Sequence, residues 1–134
     1  MKKILIIDDE PILLSVFQRI LDRLGYMADT AQSYNEAMKK FSDSSYDLIF
    51  IDVLMPEKTG FEIAREMRRL NRRQKIVLIT GLDMYHEELV FNRKRSNVDG
   101  ILFKPFTLDK VKESVESILN MRKKFNREMK PCFV

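Results

Sequence analysis

The feature of this chain that most constrains its fold is a regular alternation of short apolar runs with longer segments of helical periodicity. Continuous apolar runs such as 48–51 and 76–79 are typical of strands that are buried on both faces of a sheet. Strand-like segments lie at 3–7, 27–31, 47–51, 75–79 and 100–103. Such an alternation favours parallel strands joined by crossover helices.

The segments between the strands carry the start and stop signals of helices. Pro11 suits a first helical turn, and Gly25 is placed to end that helix. Ser33 followed by Glu36 forms a capping box, which predicts the start of a second helix. Helical spacing of apolar residues covers 11–24, 60–70, a more polar segment over 84–95, and a last segment beginning near Thr107.

Five strands alternating with five helices predict an α/β fold, a doubly wound five-stranded parallel sheet with helices on both faces. The 134 residues suit one domain, and 45% apolar with 33% charged residues is an ordinary globular balance. Acids at positions 8–10 interrupt the first apolar run too early for a signal peptide. With a single cysteine, Cys132, no internal disulfide can form, and we expect a cytoplasmic protein.

The net charge of +4 belongs to the end of the chain. Residues 122–134 hold five basic side chains and one acid, while the other 121 residues hold 19 of each sign. We therefore expect a domain over 1–121, followed by a basic helix extension or tail over 122–134. A nucleic-acid-binding domain usually carries its basic face on the folded body, so neither a nucleic acid nor a membrane partner is expected.

Chemically active side chains follow four of the five strands, namely Asp8 and Asp9, then Asp52, Thr80 and Lys104. Doubly wound sheets bind ligands at the carboxyl ends of their strands, so we expect these groups to converge. Clustered carboxylates stay ionised together only beside a cation, and oxygen ligands favour Mg²⁺ or Mn²⁺. A cation facing an ammonium and a hydroxyl suits a phosphoryl group, for which Asp52 is the best-placed nucleophile.

Other chemistries find little support in the sequence. Its four glycines are spaced neither as a dinucleotide loop nor as a P-loop, and no serine lies in a GxSxG elbow. His86, the only histidine, has no cysteine or second histidine to share a metal, and is expected to be an exposed helix residue. We interpret Glu10 as a helix-start acid favoured by the helix dipole rather than as a metal ligand.

In this combination the sequence resembles the receiver domains of two-component response regulators, the CheY-like superfamily. Four motifs carry the resemblance, in order and each at a strand end: Asp8-Asp9, DVLMPEKTG from Asp52, Thr80-Gly81, and Lys104-Pro105-Phe106. The resemblance covers residues 2–121. It implies the strand order 2-1-3-4-5, a common order among doubly wound sheets that bind their ligands at the carboxyl ends of the strands.

The resemblance implies that Asp52 accepts a phosphoryl group from a phosphohistidine of a sensor histidine kinase or a phosphotransfer protein. It also implies Mg²⁺ binding by Asp9, Asp52 and the backbone carbonyl of Leu54, with Asp8 acting mainly through water. Lys104 would pair with Asp52 and then with the phosphoryl oxygens. Such a protein is a phosphoacceptor switch that catalyses only its own phosphorylation and dephosphorylation, and is not an enzyme in the wider sense.

The resemblance further implies that Thr80 turns toward the phosphoryl group and that a cis peptide bond precedes Pro105. One position departs from the family, because Ile101 stands where an aromatic switch residue is usual. The output step therefore cannot use an aromatic in–out flip. Leu54 and Leu82, two residues after Asp52 and Thr80, are expected to screen attacking water, which predicts slow autodephosphorylation.

The expected output is contact with a downstream protein, with a homodimer through the fourth helix, fifth strand and fifth helix left open and no effector domain expected in this chain. Three alternatives remain. The acids and Lys104 would be only a residual salt-bridge cluster in a pseudo-receiver. A phosphohydrolase of the haloacid dehalogenase family would turn over on Asp52, although Leu54 stands where its acid/base aspartate belongs. An adaptor would use the basic tail on nucleic acid or a membrane.

Overall fold

The protein is described by a computed structural model that covers residues 1–83 and 85–120. Strands and helices alternate without exception: β1 (Lys3–Ile7), α1 (Pro11–Arg23), β2 (Met27–Ala31), α2 (Tyr34–Asp43), β3 (Leu48–Asp52), α3 (Gly60–Leu70), β4 (Ile76–Thr80), α4 (Glu87–Ser96), β5 (Gly100–Phe103) and α5 (Leu108–Leu119). Within these described ranges, no helix combines the length and the apolar character that crossing a bilayer requires. The predicted tail over 122–134 lies outside the described residues and stays a prediction.

The five strands form one parallel sheet in the order β2-β1-β3-β4-β5, which confirms the predicted α/β architecture. Ile7 pairs with Ala31 on one side and with Ile51 on the other, so the carboxyl ends of β1 and β3 lie next to each other. The chain winds outward in both directions from this pair. Its crevice is the place where a doubly wound sheet binds its ligand.

Helices cover both faces of the sheet, and each face has its own core. Alternate residues of β3 serve the two cores, because successive strand side chains point to opposite faces. Ile49 and Ile51 pack with α2, α3 and α4, whereas Phe50 packs with α1 and α5. Phe17 of α1 lies with its ring centroid 4.8 Å from that of Phe50 and 5.0 Å from that of Phe106. The central strands are thus buried on both sides, as their continuous apolar runs predict.

The helix ends show where the sequence pattern was imperfect. The predicted helix over 84–95 begins at Glu87, and the expectation that His86 lies inside it was wrong. His86 is instead the exposed N-cap, whose Nδ1 accepts the N–H of Glu88 at 3.2 Å. The capping box is only half formed, since Ser33 accepts the N–H of Glu36 at 3.1 Å but the Glu36 carboxylate accepts from Gln32.

Candidate functional site

The carboxyl ends of β1 and β3 bring together four carboxylates. Asp8 follows β1 directly and is fully buried, and Asp52 is the last residue of β3 and is 4% exposed. Asp9 and Glu10 are exposed, and one carboxylate oxygen from each of the four acids lies within 4.8 Å of the others. The structure therefore joins the three aspartates that the sequence singled out and adds Glu10 to them.

Glu10 is the residue of this cluster whose role the sequence reasoning missed. It is the N-cap of α1, but its side chain makes no capping hydrogen bond. Its Oε1 lies 3.9 Å from the Lys104 Nζ. The helix-start position that we predicted is therefore correct, while the carboxylate belongs to the acid cluster. The run of three acids in the sequence was the available signal.

Lys104 is the only base in contact with these acids among the described residues. Its Nζ lies 3.0 Å from the Asp52 Oδ2 and 3.4 Å from the Asp8 Oδ2. Burial opposes the charge on Lys104, but the hydrogen bond to Asp52 and the surrounding carboxylates outweigh it and raise the pKa of Lys104. The ammonium is therefore held charged beside the Asp52 carboxylate.

The electrostatics of the cluster favour a cation. Four carboxylates against one ammonium leave three formal negative charges when all groups are ionised. Burial, followed by the contact with Asp52, raises the pKa of Asp8 to about 7. Oxygen-only ligands with surplus negative charge fit Mg²⁺ or Mn²⁺, and the exposed Asp9 and Glu10 leave room for waters in the coordination shell. The Leu54 carbonyl stays a predicted ligand.

The loop after β3 is built on a close backbone contact. The Gly60 N–H donates to the Val53 carbonyl at 2.9 Å, and a Cβ on Gly60 would lie 2.3 Å from the Asp52 carbonyl oxygen. Only glycine allows this approach of α3 to the end of β3. Within the loop, the Leu54 N–H donates to the Asp52 Oδ1 at 3.1 Å, which holds the carboxylate in place.

Thr80 and Lys104 are joined where β4 and β5 end. The Lys104 N–H donates to the Thr80 carbonyl at 2.7 Å, and the Lys104–Pro105 peptide bond is cis, as the resemblance implied. The Thr80 side chain is fully buried, and its hydroxyl oxygen accepts the Leu82 N–H at 2.9 Å. The two predicted phosphoryl-binding residues thus lie at the carboxyl ends of adjacent strands, on the same side of the sheet as the acids.

The remaining predicted positions surround this edge. Ile101 of β5 is half-buried and packs against the core on the α2–α4 side of the sheet. Leu82 is half-buried against the same core, whereas Leu54 is 60% exposed. An aliphatic side chain therefore occupies the position of the family's aromatic switch, and one of the two predicted water screens faces solvent.

Comparison with known proteins agrees with this architecture. Residues 4–116 match the response regulator receiver domain family. The chain is 32% identical over 118 residues to the alkaline phosphatase synthesis transcriptional regulatory protein PhoP of Bacillus subtilis, covering 88% of this chain and 48% of PhoP. It spans about half the length of PhoP and of two further regulators, from Cyanidium caldarium and Bacteroides fragilis.

Solved structures show the same likeness. The response regulator TrrA of Thermotoga maritima, determined in complex with Mg²⁺-BeF, has a TM-score of 0.79 and 37% identity, covering 89% of this chain and 100% of TrrA. A CheY-like receiver domain protein of Methanospirillum hungatei shares the fold with a TM-score of 0.85 at 24% identity, over 92% of this chain and 98% of its own. By sequence and by fold, this chain belongs to the response regulator receiver domain family of two-component systems.

Proposed function

We propose that the chain accepts a phosphoryl group on Asp52 from a phosphohistidine of a sensor histidine kinase or a phosphotransfer protein. The observation that carries this proposal is the contact between the Asp52 carboxylate and the Lys104 ammonium, 3.0 Å apart, inside a cluster of surplus negative charge. Membership of a family whose members interact with such kinases supports the choice of donor.

The transfer step follows from nucleophilic attack by a carboxylate. An Asp52 oxygen bonds to phosphorus, the P–N bond of the phosphohistidine breaks, and the imidazole nitrogen leaves with the electron pair. Lys104 neutralises charge on the phosphoryl oxygens, and the Thr80 hydroxyl donates a hydrogen bond to one of them. A Mg²⁺ or Mn²⁺ ion held by Asp9, Asp52 and the Leu54 carbonyl, with Asp8 through water, would neutralise the remaining phosphoryl charge.

Dephosphorylation reverses the modification. Water attacks phosphorus, the P–O bond to Asp52 breaks, and inorganic phosphate leaves the free carboxylate. No general acid or base stands at Leu54, so this step is slow and the chain acts as a switch rather than as a turnover enzyme. Replacing Leu54 by Asn admits water and shortens the lifetime of the phosphorylated form, whereas an unchanged lifetime would contradict the screening role.

The output is a population shift between two conformations, biased by the contacts of Thr80 and Lys104 with the phosphoryl group. Ile101 leaves no aromatic flip to report the change, so the reporting surface is built from α4, β5 and α5 as a whole. This surface would contact a downstream protein or a second receiver.

The test is the intact mass of the chain after incubation with acetyl phosphate, with and without Mg²⁺. We expect a metal-dependent gain of one phosphoryl group. The gain is lost in Asp52→Asn and kept in Asp109→Asn, a matched change at an exposed site on α5. No gain under any condition would favour a pseudo-receiver, and continuous phosphate release from a phosphomonoester would favour a phosphohydrolase.

A further inference from the structure

The loop between β3 and α3 contains a strained three-residue turn. Glu57 has a φ of 68°, and the Lys58 N–H donates to the Pro56 carbonyl at 2.8 Å. A hydrogen bond that closes three residues around a positive φ is a γ-turn of the rare, strained kind. Because a residue with a side chain keeps such a conformation only where its surroundings hold it, a neighbouring contact has to supply the restraint.

Glu57 does not hold this turn through its own side chain. The side chain is exposed, and within the part of the chain that the structure describes it enters no salt bridge. On the near side of the turn, Met55 is 8% exposed and packs into the core, but through a flexible, unbranched side chain. On the far side, Lys58 adjoins Glu57, so the contacts of Lys58 act directly on the turn.

Lys58 is fastened to both neighbouring helices. Its Nζ lies 3.5 Å from the Glu66 Oε2 on α3 and 4.4 Å from the centroid of the Tyr34 ring at the start of α2. The Tyr34 hydroxyl donates to the same Glu66 carboxylate, 2.8 Å from Oε1 and 2.7 Å from Oε2. Tyr34 also packs against the core of that face. These three side chains therefore form one latch between the loop and the two helices.

We propose that Lys58 is a positioning residue, which holds the β3–α3 loop through this latch in the conformation that the metal site needs. The inference rests on the proposed function, since it concerns the ion that phosphoryl transfer uses. The loop carries the Leu54 N–H, which donates to the Asp52 Oδ1 at 3.1 Å, and the Leu54 carbonyl, the predicted metal ligand. A turn at Glu57 that relaxes to negative φ moves Leu54 with it. Because Mg²⁺ demands near-ideal octahedral geometry, that displacement lowers its affinity.

The latch is partly exposed, which sets the size of its effect. The Lys58 side chain is 41% exposed and the Glu66 side chain is 22% exposed. A cation on an aromatic face and a partly exposed salt bridge are each weak contacts, so losing Lys58 is expected to open the turn about fivefold more often. The fold is expected to stay intact, because the latch lies outside both cores.

The direct test is the amide exchange of residue 58 by NMR in the metal-free chain, since its N–H closes the turn. Lys58→Met keeps the length of the side chain and removes its charge, and we expect the protection factor to fall about fivefold. Lys58→Arg keeps a cation and is expected to retain the protection. Lys39→Met, at an exposed site on α2, serves as the matched control. An unchanged protection factor in Lys58→Met would overturn the inference.

A glycine at position 57 separates positioning from a general loss of stability. Glycine adopts a positive φ at no steric cost, so with Glu57→Gly the turn no longer needs the latch. Lys58→Met alone is expected to weaken Mg²⁺ binding about fivefold in isothermal titration calorimetry. The double variant with Glu57→Gly is expected to recover the affinity. If it binds Mg²⁺ no better than Lys58→Met, the strain at Glu57 is not what the latch opposes, and the inference fails.

The dependence of phosphorylation on Mg²⁺ separates this inference from the proposed function. With acetyl phosphate, the initial rate of Lys58→Met is expected to be low at subsaturating Mg²⁺ and to equal that of the parent chain at saturation. A rate that stays low at saturation would overturn positioning through the metal. If neither chain gains a phosphoryl group, the proposed function fails, while the protection factor and the Mg²⁺ affinity still decide the role of the latch.

Discussion

Two charged clusters lie at opposite ends of the parallel strands, and they differ in their ratio of acidic to basic side chains. At the amino end of β4, Asp99 accepts the Arg68 guanidinium and the Ile76 N–H, each at 2.8 Å, and Lys75 lies 3.8 Å away. At the carboxyl end, four carboxylates cluster together, and three of them lie within 3.9 Å of the Lys104 ammonium. In the first cluster two bases lie around one acid, whereas in the second four acids lie around one base.

This difference teaches where stability and function lie. A partly buried acid with its basic partners in place makes the fold depend on that pairing, since removing one partner leaves an uncompensated charge. A buried acid among other acids costs stability, because its ionised form is repelled until a cation arrives. Ion pairing occurs at both ends of the strands, so it is the surplus of carboxylates over bases that indicates a cation-binding site.

The largest expected effect is at the cluster around Asp99. Asp99→Ala leaves the Ile76 N–H without its acceptor and Arg68 with only the Asn97 carbonyl, and we expect the free energy of unfolding to fall by about 3 kcal/mol. Urea denaturation measures this loss. Phosphorylation of this variant by acetyl phosphate at low temperature is expected to continue. A variant that is stable but cannot be phosphorylated would contradict the assignment of stability to the Asp99 cluster and of phosphorylation to the Asp52 cluster.

Adding a divalent cation is expected to affect only the acid cluster at the carboxyl ends of the strands. At a Mg²⁺ concentration ten times its dissociation constant, binding to the folded chain raises the free energy of unfolding by about 1.4 kcal/mol. Thermal unfolding with MgCl₂ measures the gain, and NaCl at matched ionic strength serves as control. Asp9→Asn is expected to lose most of the gain, and an equal gain in that variant would place the ion elsewhere.

Removing one negative charge from the acid cluster is expected to stabilise the metal-free chain. Because the folded pKa of Asp8 is raised to about 7, the folded state binds more protons than the unfolded state above the ordinary value of 3.8. Stability therefore falls as the pH rises toward 7. In EDTA at pH 8, we expect Asp8→Asn to be about 1 kcal/mol more stable than the parent chain, with the difference vanishing near pH 4.

An effect of similar size is expected at a third cluster, which pairs one acid with one base. The Tyr34 hydroxyl donates to the Glu66 carboxylate at 2.7 Å and lowers the pKa of Glu66, and Lys58 lies 3.5 Å from the same carboxylate. Tyr34→Phe is expected to cost about 1 kcal/mol at pH 7.

The pH dependence of this third cluster opposes that of Asp8. A lowered carboxyl pKa contributes stability above its unfolded value of 4.5, and this contribution is lost as the pH falls through the folded pKa. Urea titrations of both chains from pH 7 to pH 3 are expected to converge at the acid end. A gap that widened on acidification would contradict the sign.

The fold was predictable because each level of the sequence points the same way. Apolar runs, Pro11 at a helix start and Gly25 after a helix end all agree with the observed alternation of strands and helices, while the strand order was predictable from the family resemblance. The contact between Asp52 and Lys104 was predictable because the carboxyl ends of parallel strands lie on the same side of the sheet. The contacts of Gly60 and the position of the Glu10 carboxylate were not, since they depend on where α3 and α1 pack against the sheet.

The glycine contact at the start of α3 has a mechanical consequence. Gly60 lies so close to the Asp52 carbonyl that no side-chain atom fits between them, and its N–H is bonded to the next carbonyl of the chain, that of Val53. Asp52 and the beginning of α3 are therefore held rigidly against each other. If a phosphoryl group is added to Asp52, the start of α3 cannot move closer to β3. The resulting motion would then have to occur at the ends of β4 and β5.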